Sequence, residues 1–183
     1  MGKLSLSFLF LAISLGLAWG QPASSGEEHS SHVHHPENFK HLRIAMLIGH
    51  TSVPAGVSHE HLFIPSWGLD LEYWFSRKWG VGIHNDIELH TFIIEENHNE
   101  FLERDYPLVT TLDLLFKPVG DFVLLAGPGY EFEKNENFKL FRLGAEYEFE
   151  IPGGWDISPA VFYDTRLDAF DTWSVALGVG KRF

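Results

Sequence analysis

Histidine is the residue type most able to do chemistry in this chain of 183 residues, which contains eleven histidines and no cysteine. Imidazole and carboxylate ligands suit zinc, copper, nickel or iron, and no thiolate is available to compete with them. Zn or Cu is therefore the predicted metal. The candidate ligands fall in a polar N-terminal segment (His32, His34 and His35, with His29 nearby), in a first loop (His59 and His61, with His50 nearby) and in one alternating segment (His84, Asp86, Glu88 and His90).

The spacing of the third group limits what it can bind. On a β-strand, neighbours on the same face are about 6.6–6.8 Å apart, so His84 and His90 would lie roughly 20 Å apart. The two histidines cannot share one ion, and each would need ligands from neighbouring strands. The alternative is a network of hydrogen bonds inside a barrel. For the first loop the alternative is ordinary polar histidines, and for the N-terminal segment it is a low-complexity linker.

The elements that must position these residues are strands, because apolar and polar residues alternate from His41 onward. The alternation predicts eight strands, at about 41–50, 62–75, 80–94, 105–117, 121–133, 138–151, 155–166 and 172–183. Residues 51–61, 95–104 and 167–171 are predicted loops, and short turns separate the other strands. Pro128 cannot donate to a ladder, which predicts a bulge or weak pairing around it. Residues 41–183 are thus predicted to form one all-β domain, an eight-stranded antiparallel up-and-down barrel.

Two faces follow from the alternation, and the residue types indicate which one is outside. Aromatic residues cluster near both ends of the predicted strands, as the girdles of a membrane barrel do. The polar face mixes small residues with both charge signs, and an eight-stranded barrel has an interior that side chains just fill. The predicted inward ion-pair partners are Arg43, Arg142, Arg166 and Arg182 with Asp70, Glu72, Glu146, Glu148 and Asp164. A soluble secreted barrel of the lipocalin type, with its polar face outside, is the alternative.

The first twenty residues are predicted to be a secretory signal peptide. Lys3 is followed by the apolar run Leu4–Leu17, and Ala18 and Gly20 are small residues before a cleavage site. A transmembrane anchor is the alternative. Residues 21–40 are polar and rich in histidine, and we expect a flexible periplasmic tail. The net charge of −12 without a basic cluster argues against nucleic acid as a partner.

The last predicted strand reads TWSVALGVGKRF, with Trp173, Val175, Leu177, Val179 and Phe183 on one face. It resembles the closing strand of bacterial outer-membrane β-barrel proteins, although Lys181 stands where that family often has tyrosine. The resemblance is to the small barrels typified by the outer-membrane A and X proteins. It implies location in the bacterial outer membrane, a monomer, and contacts with membrane lipid, lipopolysaccharide and the barrel-assembly machinery.

The same resemblance implies a non-enzymatic envelope role: structure, surface interaction or passage of very small solutes. Some small outer-membrane barrels remodel lipid A, so a lipid-modifying enzyme is a further alternative. A deacylase of that type needs a Ser-His-acid set near the membrane interface. His50, Thr51 and Ser52 lie at a predicted strand end but do not match the family's His-Ser-Asn pattern. No catalytic residue is therefore predicted.

Overall fold

The structure, a computed structural model, describes residues 39–54, 61–96, 100–167 and 169–183. The predicted signal peptide and nearly all of the predicted tail lie outside these residues. The described strands are β1 (Leu42–Pro54), β2 (His61–Trp74), β3 (Trp79–Glu88), β4 (Thr91–Glu96), β5 (Glu100–Asp105), β6 (Leu108–Val119), β7 (Phe122–Phe132), β8 (Phe138–Tyr147), β9 (Phe149–Ile151), β10 (Trp155–Arg166) and β11 (Asp171–Arg182). Within the described ranges, no helix is long and apolar enough to cross a membrane.

The strands close into an antiparallel barrel. The order is β11-β1-β2-β3-β6-β7-β8-β10, with β11 also paired to β10, and β9 continues the line of β8 along β10. Eight strands therefore form the wall, as the alternation predicts. Short turns at 75–78, 120–121 and 152–154 define one end of the barrel, here called the short-turn end. The opposite end is called the loop end.

The loop end differs from the prediction. Residues 95–104 were expected to form a loop, but β4 and β5 pair as a separate antiparallel hairpin between β3 and β6. The predicted strand 80–94 is interrupted at Leu89 and His90, and Tyr106 adopts a positive φ of 48° on the return side. The backbone N–H of Glu88 donates to the carbonyl of Pro107 across this break at 3.1 Å.

The apolar face of the wall points outward. On β1, Leu42, Ile44, Met46 and Ile48 are exposed while Arg43, Ala45 and Leu47 are buried. The same alternation follows β2, β10 and most of β11. A soluble barrel buries its apolar face, so this arrangement contradicts the lipocalin-type alternative.

Aromatic rings pair near both ends of this outward face. Trp79 and Phe116 stack at the short-turn end with ring centroids 4.3 Å apart, and Tyr163 lies 4.6 Å from Trp173 at the loop end. This is the placement of the two girdles predicted from the sequence.

Close approach of two strands explains one glycine. A Cβ at Gly127 would lie 2.0 Å from the backbone oxygen of Leu112, so no larger residue fits without moving the backbone. Next to it, Pro128 pairs regularly with Phe141 of β8, but the β6–β7 ladder lacks residue pairs at Gly127 and Pro128. The predicted weak pairing near Pro128 is therefore found on its β6 side, since proline has no N–H to donate.

Candidate functional site: the charged barrel interior

The inward face near the short-turn end is organised around Arg43, which is 0% exposed. Its guanidinium donates to Asp156 Oδ1 at 2.7 Å, to Glu146 Oε1 at 3.1 Å and to Ser158 Oγ at 2.9 Å, and it also pairs with Glu72. The planar fork of arginine allows one cation to serve several carboxylates from different strands. Arg43 thus ties β1 to β2, β8 and β10 across the interior.

Below Arg43, a buried tryptophan closes the short-turn end. Trp74 Nε1 donates to Glu72 Oε2 at 2.7 Å, and Lys117 Nζ lies 4.8 Å from the centre of its ring. Lys117 also pairs with Glu148, which accepts from Arg182 Nη2 at 2.5 Å. Charged and aromatic groups therefore fill this end of the barrel.

Near the loop end, two more arginines join strands across the interior. Arg142 holds Asp164 with two hydrogen bonds of 2.7 and 2.8 Å and Asp86 with one of 2.5 Å. Arg166 pairs with Glu131 and donates to Thr172 Oγ1 at 3.0 Å. Arg43, Arg142 and Arg182 pair with predicted acids, whereas Arg166 pairs with Glu131, which was not predicted. Asp70 has no arginine partner among the described residues.

The β4–β5 hairpin is fastened to the barrel mouth by Arg104, which is 0% exposed. Arg104 pairs with Glu131, donates to the carbonyl of Glu136 at 2.6 Å and lies over the ring of Phe138 at 4.7 Å. Beneath the hairpin, Phe92 packs in an apolar cluster with Val53 and Ile64, against which Phe170 also lies. These contacts cover the loop end.

Glu133, which follows β7 at the loop end, accepts hydrogen bonds from the backbone of its own turn. Burial works against ionisation of Glu133, but backbone N–H groups of Asn135 and Glu136 donate to its carboxylate, and Arg104 is near. Together these donors lower the pKa of Glu133 below its ordinary value.

Halfway along the interior, His84 lies in a niche of acidic side chains. Its Nδ1 is 2.7 Å from Asp113 Oδ2, which also accepts from Thr111 Oγ1 at 2.5 Å. His84 Nε2 is buried and has no hydrogen-bond partner within the described part of the chain. One ligand atom each of His84, Asp70 and Glu72 lies within 4.8 Å of the others.

The structure describes only some of the predicted metal-ligating residues. His32, His34, His35 and His59 lie outside the described residues, and their metal binding stays a prediction. His61 begins β2, where its Nδ1 is 3.2 Å from Ser52 Oγ.

The members of the third histidine group do not all lie on the inward face. His84 and Glu88 are buried, and Asp86 pairs with Arg142. His90, however, is exposed in the break between β3 and β4, so the expectation that it shares the inward face is wrong. The break removes the two-residue period on which that expectation rested.

Sequence reasoning did not connect His84 with its actual neighbours. Asp70 lies directly opposite His84 in the β2–β3 ladder, and Glu72 lies opposite Gly82. Asp113 reaches His84 from β6, on the other side of β3. The polar face of each strand was visible in the sequence, but the pairing register that aligns these residues was not.

No protein-family model matches the sequence, and no curated protein matches it. Solved structures do match the fold. Ail, the attachment invasion locus protein of Yersinia pestis, superposes with a TM-score of 0.54 at 16% identity, over 79% of this chain and 100% of Ail. The N-terminal β-barrel domain of OprF from Pseudomonas aeruginosa gives 0.54 at 11% identity, over 77% and 97%.

Neisserial surface protein A also gives a TM-score of 0.54, at 8% identity, over 78% of this chain and 97% of that protein. At these identities the likeness concerns the fold, and the match spans almost the whole length of each neighbour. It agrees with the closed eight-stranded wall described above. The chain therefore has the fold of the small eight-stranded outer-membrane β-barrels.

Proposed function

We propose that this protein is a bacterial outer-membrane barrel with a non-enzymatic envelope role, in which the barrel anchors and presents the β4–β5 hairpin at the cell surface. The observation that carries the proposal is the combination of an apolar outer wall with an interior filled by ion pairs. An apolar outer wall is stable in lipid, and an interior filled by side chains leaves no path for a solute.

The outer wall supports membrane lipid as the partner. Met46 is 62% exposed, and Leu112 and Val175 are exposed to a similar degree on other strands. Monomeric proteins in water rarely expose apolar surface that is continuous around the molecule. In an outer membrane, the same surface lies against acyl chains, and the aromatic pairs at both ends lie at the interfaces.

The filled interior supports a structural or surface role over solute passage. Trp74 and Arg43 block the short-turn end, while Arg104 and the Phe92 cluster cover the loop end. A channel needs a continuous polar opening, whereas these side chains are buried inside the barrel.

The exposed side of the hairpin supports surface presentation. Glu103 on β5, Ile93 on β4 and Tyr106 at its base are exposed, while Arg104 on the opposite side is anchored. The hairpin is therefore held in one orientation with a face free for contact. The proposal includes two partners. Lipopolysaccharide would surround the barrel in the outer membrane, and the barrel-assembly machinery would bind the last strand.

The absence of cysteine from the chain allows a direct test by labelling. Glu103→Cys places one thiol on the hairpin, and Lys78→Cys places one in an exposed turn of the short-turn end. A membrane-impermeant maleimide should label Glu103→Cys on intact cells and Lys78→Cys only after the outer membrane is permeabilised. Labelling of neither variant on intact cells, with both recovered in a soluble fraction, would contradict the proposal.

Conductance provides the test of the closed interior. Purified barrel in a planar bilayer should show no long-lived open state. Stable, repeated conductance steps would instead favour solute passage, and would show that the contacts of Arg43 and Arg104 open in the membrane.

A further inference from the structure

We propose that the barrel interior contains a binding site for a divalent transition metal ion, formed by His84, Asp70 and Glu72. The site shares His84 with the third histidine group of the sequence, but its other two ligands come from β2 and not from β3. It goes beyond the envelope role and does not depend on it.

The three candidate ligands converge because of the strand register. Asp70 is the cross-strand partner of His84, and Glu72 is the next inward residue of the same strand. One nitrogen and two carboxylate oxygens come within 4.8 Å of one another, and none of the three residues is more than 3% exposed. Asp70 and His84, which are paired across two strands, and Glu72, on the same face as Asp70, thus supply three ligands from strands alone.

The orientation of His84 is that of a metal ligand. Metal-binding histidines usually donate the N–H of one ring nitrogen to a carboxylate, which fixes the tautomer and leaves the other nitrogen for the metal. Here Nδ1 lies 2.7 Å from Asp113 Oδ2. Nε2 is left buried on the side of Asp70 and Glu72 with no partner among the described residues, and a buried nitrogen without a partner is costly.

A glycine makes the space that His84 occupies. A Cβ at Gly82 would lie 2.7 Å from His84 Nε2 and 3.4 Å from Glu72 Cγ. Because Gly82 is the inward residue directly opposite Glu72, a side chain there would fill the gap between the candidate ligands. The absence of a side chain keeps Nε2 accessible to a small ion.

The local charge also favours a cation. Within the described barrel, nine buried acidic side chains stand against four buried arginines. Arg43 pairs with Glu72, one of the three candidate ligands, and Arg142 pairs with Asp86, but Asp70 forms no salt bridge to an arginine or lysine of the described residues. A metal ion, or a proton on His84 or Asp70, would offset this charge, and experiment separates the metal ion from the proton.

The ligand set fits zinc best among common ions. Imidazole nitrogen and carboxylate oxygen both bind Zn²⁺, at about 2.0–2.2 Å. A tetrahedral ion with such bonds holds its ligands roughly 3.4 Å apart, so the three groups need to approach one another by little more than about 1 Å. Side-chain rotation of Asp70 alone can supply much of that movement, because no arginine restrains it.

The test is a titration of Zn²⁺ into the folded full-length chain in detergent, with the binding heat measured by calorimetry. A shared background removes the other candidate histidines except His50 by alanine substitution of His29, His32, His34, His35, His59, His61 and His90. In that background Asp70→Asn and His84→Gln each remove one ligand. The matched control is His50→Gln, which makes the same chemical change at an exposed position of β1.

The background protein should bind about one Zn²⁺, and Asp70→Asn and His84→Gln should each weaken binding at least tenfold, whereas His50→Gln should not. Asp113→Asn, which removes the orienting carboxylate, should weaken it by about 10–100-fold. Absence of Zn²⁺ binding, or equal binding by all variants, would overturn the proposal and leave His84 as a protonated member of the interior network.

A second measurement does not require the variants to fold. X-ray absorption of Zn²⁺ bound to the background protein should show mixed nitrogen and oxygen ligation at about 2.0–2.2 Å. A shell of oxygen alone would place the ion away from His84 and contradict the assignment.

Discussion

The strongest prediction concerns Arg43, the cation that several strands share. Arg43→Met keeps an unbranched apolar stem of similar reach but removes the guanidinium. Glu146 and Asp156 then lose the guanidinium as a donor, and Glu72 keeps only its bond from Trp74 Nε1. Ser158 loses one hydrogen bond as well. The side chains that remain are buried, so water cannot replace the lost partner.

The expected cost is large because the charges left behind are not compensated. Removing one partner of a buried ion pair destabilises a protein by about 3–5 kcal/mol. Arg43 serves three carboxylates through hydrogen bonds, so the value should fall at the upper end of that range or above it. Arg43→Lys restores the charge but not the fork, and we expect a smaller loss.

Unfolding in urea from lipid vesicles, followed by tryptophan fluorescence, measures the difference in the free energy of unfolding. The matched control is Arg77→Met, since Arg77 lies in an exposed turn. A surface substitution of this kind should change stability by less than about 0.5 kcal/mol. A gap below about 1 kcal/mol between wild type and Arg43→Met would refute the role given to Arg43.

Two further predictions concern the wall and the hairpin. Met46→Arg places a charge on the outward face near the middle of β1 and should cost about 2–4 kcal/mol in lipid, against about 0–1 for Val119→Arg beside a short turn. Equal costs would show that the lipid boundary lies elsewhere. Arg104→Ala should speed amide hydrogen exchange in β4 and β5 while β1 stays protected, whereas Glu103→Ala should leave exchange unchanged. Unaltered exchange in Arg104→Ala would mean that other contacts hold the hairpin.

The wall of the barrel could be predicted because each strand carries its own signal. A two-residue period needs no knowledge of neighbouring strands, and Leu42, Ile44 and Met46 already mark one face of β1. Which face is outside followed from the residue types, since the polar face mixes small residues with both charge signs and side chains just fill an interior of this width.

The hairpin could not be predicted because its stabilising contacts are distant in sequence. Residues 95–104 are rich in charged residues, which suggests a loop. Arg104, however, is bound by Glu131 and the carbonyl of Glu136, about thirty residues away. The predicted strand was also extended too far, through the break at Leu89 and His90.

The residues around His84 could not be predicted for a related reason. The sequence places His84, Asp70 and Asp113 on polar faces of three strands, but a shift of one residue in register turns a whole strand over. Only the paired barrel shows that Asp70 faces His84 and that Asp113 reaches it from the other side.

Comparison of two acidic clusters explains why the proposed metal site lies at His84. Glu72, Glu146 and Glu148 also bring oxygens within 4.8 Å of one another, but Arg43 contacts all three and supplies the positive charge. Proximity of carboxylates is therefore not sufficient. In the niche around Asp70, Arg43 also holds Glu72, but Asp70 itself lies opposite an imidazole whose Nε2 has no partner within the described residues. A carboxylate cluster closed by a guanidinium fastens strands together, whereas one that ends in an imidazole nitrogen can still accept a metal ion.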